Sequence, residues 1–352
     1  MADFDYELPT GAIAQTPLEP RDSARLLVDR GDAVPDHRHV RDLPDLLEPG
    51  DLVVVNDTRA LPARLHLRRA TGGVVEVLLL EQLDATGHRW EAMVRPSRKV
   101  RVGELVETDG LTVEVGGNRL DGTREVRLVT TDDPLVALAA HGEVPLPPYI
   151  TAELGDPERY QTVYSRRAAS AAAPTAGLHL TPRVLEALAS RGIGLARVEL
   201  VVGLDTFKPV VVDDPNDHHM HTEAYRVPPE TIEACRETKA GGGRVVAIGT
   251  TATRALESVA ARGEAYGRTN LFIRRPYDWQ VVDVLLTNFH LPRTTLLLMI
   301  DAFVGPRWRH LYELALADQY RFLSFGDAML LTRCPVASSG AGVAIDAVDG
   351  AR

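Results

Sequence analysis

Three short segments of this chain place groups capable of chemistry directly beside an apolar strand or a helix start. Ala172 to Pro182, AAPTAGLHLTP, holds a Pro-Thr-Ala-Gly turn with Thr175 and Gly177, then His179, then Thr181-Pro182 as the cap and first residue of a helix. An imidazole there can serve as acid, base or hydrogen-bond donor to a substrate, or be tied into the turn by its own hydrogen bonds. Leu285 to Thr295, LLTNFHLPRTT, repeats the layout with an apolar strand, a polar turn carrying Asn288 and His290, and Pro292 expected to open a helix. Arg244 to Ile248, followed by Gly249-Thr250-Thr251, sets free backbone N–H groups and two hydroxyls at a helix N-terminus, where a phosphate or carboxylate could dock. The plainer alternative is that Thr250 or Thr251 caps the helix.

Two further clusters carry weaker signals. His218-His219-Met220-His221-Thr222-Glu223 would put His219, His221 and Glu223 on one face of an extended strand, but no second Cys or His cluster completes a ligand set. We therefore expect no metal site and favour His221 or Glu223 contacting substrate. Gly87 to Gly103 carries Arg89, Arg95, Arg98, Lys99 and Arg101 against the single Glu91, a stripe that could grip phosphates or merely be a solvated charged face.

The elements that must position these groups follow from composition and pattern. The chain has 352 residues, enough for two domains with substantial cores, and its hydrophobic and charged fractions of 45% and 25% are those of a globular protein. A formal net charge of −10 excludes a generic nucleic-acid coater, so any RNA contact must be local. The two cysteines, Cys235 and Cys334, form no CxxC pair and suit a reducing cytoplasm; the N-terminal MADFDYELPT and the short apolar runs predict neither a secretion signal nor a membrane span. From Arg64 to Thr130, turn signals at Gly72-Gly73, Asp109-Gly110 and Gly116-Gly117 divide about six strands, predicting a small barrel or sandwich. After Thr175 the pattern alternates. Helices are expected at Pro182 to Arg191, Pro229 to Ala240, Ala252 to Arg262, Thr294 to Phe303 and Trp308 to Gln319. Strands are expected at Leu195 to Val202, Arg244 to Ile248, Asn270 to Ile273, Val281 to Leu286 and Ala328 to Thr332, with one more at Leu52 to Val55. This predicts an α/β class: an open-barrel-like main domain made of both chain ends (1–63 and 146–334) with an inserted small β-barrel (64–145) and a disordered tail (335–352).

Nine blocks, in this order, resemble the tRNA ribosyltransferase-isomerase family of queuosine biosynthesis over roughly Asp3 to Thr332. They are FDYELP at Phe4, GDLVVVNDTRALPARL at Gly50, PLPPYI at Pro145, YQTVYS at Tyr160, AAPTAGLH at Ala172, HMHTEAYRV at His219, GTTATRALES at Gly249, LLTNFHLP at Leu285 and YRFLSFGDAM at Tyr320. The resemblance implies an enzyme without metal or organic cofactor that takes S-adenosylmethionine as substrate. It implies transfer of the ribosyl group to the aminomethyl-deazaguanine at a tRNA wobble position, with release of adenine and methionine. It further implies a cytoplasmic protein, expected to be a monomer, with no membrane partner.

Laid on the matched motifs, that chemistry assigns acid, base or leaving-group roles to His179 and His290, with His221 and Glu223 as an alternative base pair. Thr250 and Thr251 would hold the methionine carboxylate and Asn288 would orient the nucleoside. Thr175, Gly177, Arg254 and Asp205 would complete the substrate site, Arg59 would meet substrate or RNA phosphate, and Arg95, Arg98, Lys99 and Arg101 would bind RNA. The chain departs from the family pattern at Val201, Leu204 and Asp205, at Arg166 to Ala169, at Arg274-Arg275-Pro276 and at Asp301. Two other readings are open: a paralogue that moves the ribosyl group to a non-tRNA acceptor, and a noncatalytic RNA-binding protein.

Overall fold

The computed structural model describes residues 1–31, 33–119, 122–203, 210, 212–218, 220 and 222–333. Asp205, His219 and His221, and the tail expected to be disordered, lie outside these residues.

Four strands open the chain: β1 (Arg25–Asp29), β2 (Asp36–His39), β3 (Leu52–Asn56) and β4 (Thr58–Ala60), with the short helix α1 (Leu43–Leu46) before β3. Six more, β5 (Arg64–Arg69), β6 (Val74–Gln82), β7 (Arg89–Arg95), β8 (Glu104–Thr108), β9 (Leu111–Asn118) and β10 (Arg124–Val129), close into a barrel. Their period-2 patterning is the cause: along β5, β9 and β10 buried and outward residues alternate, which turns Leu65, Leu67, Val113, Val115, Val126 and Leu128 inward around Trp90. Closure leaves no unpaired strand edge.

Helix α2 (Pro134–His141) follows, capped by Asp133, whose carboxylate accepts from the amides of Leu135 and Val136. The chain then returns through β11 (Arg167–Ser170), which pairs parallel with β4. The rest runs α3 (Pro182–Ser190), β12 (Gly194–Leu200), β13 (Glu223–Arg226), α4 (Pro229–Ala240), β14 (Val245–Ile248), α5 (Gly249–Arg262), β15 (Tyr266–Thr269), β16 (Val284–Asn288), α6 (Thr295–Val304), α7 (Trp308–Ala317) and β17 (Ala328–Thr332).

These strands, with β1 to β3, build one mixed nine-stranded sheet in the order β15-β13-β12-β3-β14-β16-β17-β1-β2. Its centre is parallel, β12 with β3, β3 with β14 and β14 with β16, so all four carboxyl ends reach one rim. Strand β3, LVVVN, is buried throughout, the mark of a strand covered on both faces. Leu52 and Val54 join the core beneath α5 to α7, whereas Val53 and Val55 join that beneath α1 and α3. The first and last main-sheet strands of the chain, β1 and β17, lie side by side and parallel. Among the described residues no helix is long and apolar enough to cross a membrane.

The structure corrects three expectations. Gly116-Gly117 does not divide strands but lies inside β9, where the irregular pairing with β10 brings the Glu125 carbonyl to 2.9 Å from where a Cβ of Gly116 would stand. Residues 270–273 are not a strand; the strand falls at Tyr266–Thr269, where pairing with β13 decides the register and overrides the apolar run. Pro292 does not open a helix, because Thr294 caps α6 through Leu297 and the chain turns first at Arg293, whose φ is 56°.

Candidate active site

The rim of the four parallel strands is a cleft, the position that open α/β sheets use for ligands. Its cavity volume is small, about 50 Å³, and it is partly open to solvent. Thr175, Gly249, Thr250, Thr251, Asn288 and His290 all line it.

Local chain geometry explains the convergence. Strand β14 passes into α5 without a loop because Gly249 adopts a φ of +88°, which a side chain would resist; a Cβ there would also stand 3.3 Å from that of Ala176. The abrupt entry leaves α5 with no side-chain cap. Thr250 and Thr251 therefore do not cap the helix, and among the described residues the buried Thr251 hydroxyl has no partner. A free hydroxyl beside unpaired helix amides is the constellation that accepts an anion.

Asn288 ends β16. Its amide donates to the Leu323 carbonyl at 2.9 Å and to His179 Nε2 at 3.2 Å, so both amide hydrogens are engaged and His179 carries its own proton on Nδ1. His179 does not line the cleft; it lies behind Asn288, in the 3₁₀ turn Thr175–His179. Burial, with lesser contributions from the Arg321 and Arg21 charges, lowers its pKa to about 4. Gly177 is likewise a packing residue, since a Cβ there would meet the Tyr164 hydroxyl at 1.9 Å.

His290 does face the cleft. Its main chain is held at both ends, the amide donating to the Tyr312 hydroxyl at 3.0 Å and the carbonyl accepting from Tyr6. Nε2 pairs with the Thr287 hydroxyl at 2.9 Å, and burial alone drops the imidazole pKa to about 3. Both histidines are thus neutral near pH 7. Neither can arrive as an imidazolium acid, but each can accept or donate a hydrogen bond.

Glu223 and Arg254 form an ion pair, both more than nine-tenths buried, and Glu223 also accepts from the Gly203 amide at 3.3 Å. That engagement argues against Glu223 as a free base. Arg254 Nε and Nη2, by contrast, are buried with no partner among the described residues. Arg59 is directed elsewhere, onto Glu158 and Ser165 (3.4 Å). Arg95, Arg98, Lys99 and Arg101 are exposed on the barrel, and the turn bearing Arg98 and Lys99 is pinned by Arg124, whose buried guanidinium donates to the Ser97 and Val100 carbonyls at 3.3 and 2.8 Å.

Two further cleft residues were not anticipated: Tyr149 and Ser324, whose hydroxyls meet at 2.7 Å. Both sit inside blocks quoted for the resemblance, PLPPYI and YRFLSFGDAM. A hydroxyl between apolar neighbours, Pro148 and Ile150 or Leu323 and Phe325, was the available signal.

Residues 1–331 match the family described as queuosine biosynthesis protein. The chain is 48% identical over 348 residues to the S-adenosylmethionine:tRNA ribosyltransferase-isomerase of Symbiobacterium thermophilum, a match covering 94% of this chain and 99% of that protein. With the Thermotoga maritima protein of the same name it shares 47% over 337 residues, at the same coverages. The crystal structure of the S-adenosylmethionine tRNA ribosyltransferase from Thermotoga maritima superposes with a TM-score of 0.54, over 93% of this chain and 99% of that one. Residues paired in space there are 37% identical, below the figure from pairing by sequence. Matched along nearly its whole length, the chain belongs to the queuosine biosynthesis protein family.

Proposed function

We propose that this protein is an S-adenosylmethionine:tRNA ribosyltransferase-isomerase. It takes the ribosyl group of S-adenosylmethionine, joins and isomerises it onto the aminomethyl-deazaguanine at a tRNA wobble position, and releases adenine and methionine. S-adenosylmethionine is a substrate, not a resident cofactor. The observation that carries the site assignment is the convergence of a vacant helix-start hydroxyl, a fixed carboxamide and a neutral imidazole in one cleft at the sheet rim.

In this reading Thr250, Thr251 and the α5 amides receive the methionine carboxylate. Asn288 orients the nucleoside, and His179 acts on it only by fixing its carboxamide. The sulfonium acidifies the adjacent ribose methylene; His290, unprotonated at neutral pH, is placed to accept that proton or to hydrogen-bond adenine as it leaves. Arg254, anchored by Glu223, offers Nε and Nη2 to an anionic group of either substrate. The exposed barrel residues Arg95, Arg98, Lys99 and Arg101 supply phosphate contacts. The active form is a cytoplasmic monomer, which light scattering on the purified protein checks for its stoichiometry.

The test is incubation with labelled S-adenosylmethionine and tRNA bearing the aminomethyl-deazaguanine. The expected result is labelled RNA of increased mass with adenine released in equal amount. Adenine release with a small acceptor but never with tRNA would replace this reading by the paralogue, and no adenine with any acceptor would overturn catalysis.

A further inference from the structure

A second cavity, about 440 Å³, lies on the main domain away from the rim cleft. It is bounded by Arg274, Arg275 and Arg309, by Asp3 and Asp301, and by an apolar wall that includes Phe4 and Trp308. Its volume is that of a small-ligand site. Two positions singled out in the sequence as departures, Arg275 and Asp301, meet here at 3.3 Å across the ion pair.

The charges divide in an informative way. Arg275 is answered by Asp301, whose side chain is almost wholly buried. Arg274 instead donates to the neutral carboxamide of Asn216 at 2.5 Å, and Arg309 lies 4.7 Å from the Trp308 ring centre and donates to the Asp3 carbonyl. Among the described residues neither Arg274 nor Arg309 has a carboxylate within ion-pair distance. Two guanidiniums with no carboxylate in direct contact, Arg309 feeling only the more distant charge of Asp301, are suited to a phosphate, which they can grip through paired N–H groups. The remaining lining suits a base: a flat guanidinium and apolar walls for stacking, and carboxylates able to accept from ring N–H groups. Phe4 and Trp308 are stacked on each other at 6.2 Å and 13°, which makes that wall rigid.

The two cavities share one helix. Thr294, the cap of α6, and Leu296 line the rim cleft, whereas Leu298 and Asp301 line the second cavity. At ~1.5 Å per residue the separation along α6 from Thr294 to Asp301 is about 10 Å. A single strand covers that in about three stacked nucleotides at ~3.4 Å each.

We propose that this cavity is a second RNA subsite: it receives one unpaired nucleotide close to the modified base, the phosphate on Arg274 and Arg309 and the base against the apolar wall and Asp301. This rests on the tRNA reading above. A free nucleotide would offer the same phosphate and base, so the test carries both.

The experiment compares the native protein with Arg274→Ala/Arg309→Ala and Arg274→Lys/Arg309→Lys. The readouts are adenine release on a stem-loop RNA bearing the aminomethyl-deazaguanine, RNA affinity at several salt concentrations, calorimetric affinity for S-adenosylmethionine, and binding of guanosine monophosphate and uridine monophosphate. The alanine pair is expected to raise KM for RNA at least about 10-fold, through two lost charge-assisted contacts. It should flatten the salt slope by about 0.7, the value for one single-strand phosphate contact. Turnover number and S-adenosylmethionine affinity stay unchanged, and the lysine pair recovers the slope but only part of the KM. An unchanged KM and slope in the alanine pair, with the native protein active on RNA, overturns the subsite alone. Tight mononucleotide binding that the alanine pair abolishes while RNA kinetics stay unchanged overturns it in favour of a free nucleotide. A native protein that neither binds nor modifies the RNA overturns the reading on which the subsite rests.

Discussion

Replacing His179 by glutamine should make the main domain less sensitive to mild acid, and the size of the effect follows from the burial of the imidazole. The native pKa of about 4 lies well below the unperturbed ~6.5, so the folded protein excludes a proton that the unfolded chain accepts. The sign is therefore fixed: stability is lost as pH falls from about 6.5 toward 4, and is flat above and below that window. Evaluating both binding curves, His179 costs less than about 0.3 kcal/mol at pH 7 and about 2 kcal/mol at pH 5. Glutamine keeps an acceptor for the Asn288 amide but has no proton to gain. The native protein should thus lose about 2 kcal/mol more than His179→Gln between pH 7 and pH 5. The loss is measured by urea unfolding at each pH in a Trp90→Phe background, so that fluorescence reports Trp279 and Trp308 of the main-domain core and not the barrel. Equal losses in both proteins would refute the argument, since His179 would then titrate alike folded and unfolded.

Three further expectations are independent of that one. Thr251→Val removes an unpartnered hydroxyl, so stability should stay within about 0.5 kcal/mol while affinity for S-adenosylmethionine falls about 10-fold by calorimetry; unaltered affinity would place the carboxylate elsewhere. Gly177→Ala would drive a methyl to 1.9 Å from the Tyr164 hydroxyl, and thermal melting should show a drop of at least about 5 °C, a drop under a degree meaning that the turn yields freely. Alanine at Arg95, Arg98, Lys99 and Arg101 together should lower the salt slope of RNA binding by up to about 3 without touching S-adenosylmethionine affinity, and an unaltered slope would return the stripe to the solvated surface.

What could be read from the sequence was what local chemistry decides. Helix α4 and strand β17 fall where the sequence pattern and flanking turns put them, and the turns at Gly72-Gly73 and Asp109-Gly110 separate barrel strands, whereas Gly116-Gly117 lies inside β9. Strand β2, Asp-His-Arg-His, has no apolar alternation to reveal it and exists because β1 offers it an edge. Strand β1 is only five residues long, and although turn residues flank it, its pairing with the distant β17 had no local trace. The residue types of the cleft were equally legible, but their states were not. That Thr251 has no partner among the described residues, that His179 stands behind Asn288 and that both imidazoles are neutral are consequences of tertiary burial, which no spacing encodes.

The pairing of β1 with β17 has a consequence for synthesis. Ribosomes deliver the chain from its N-terminus at about 5 to 20 residues per second. The barrel holds all its strands once Val129 has emerged, but the main sheet waits for β17, which ends at Thr332, about two hundred residues later. For roughly 10 to 40 s β1 is outside the ribosome without β17, and for the first part of that interval β3 likewise waits for β12 and β14. During that interval the nascent chain is a folded bead trailed and preceded by sticky, unpaired segments, a substrate for holding chaperones. The cleft, which needs β12, β14 and β16 together with Ser324 just ahead of β17, comes into being only at the end of translation.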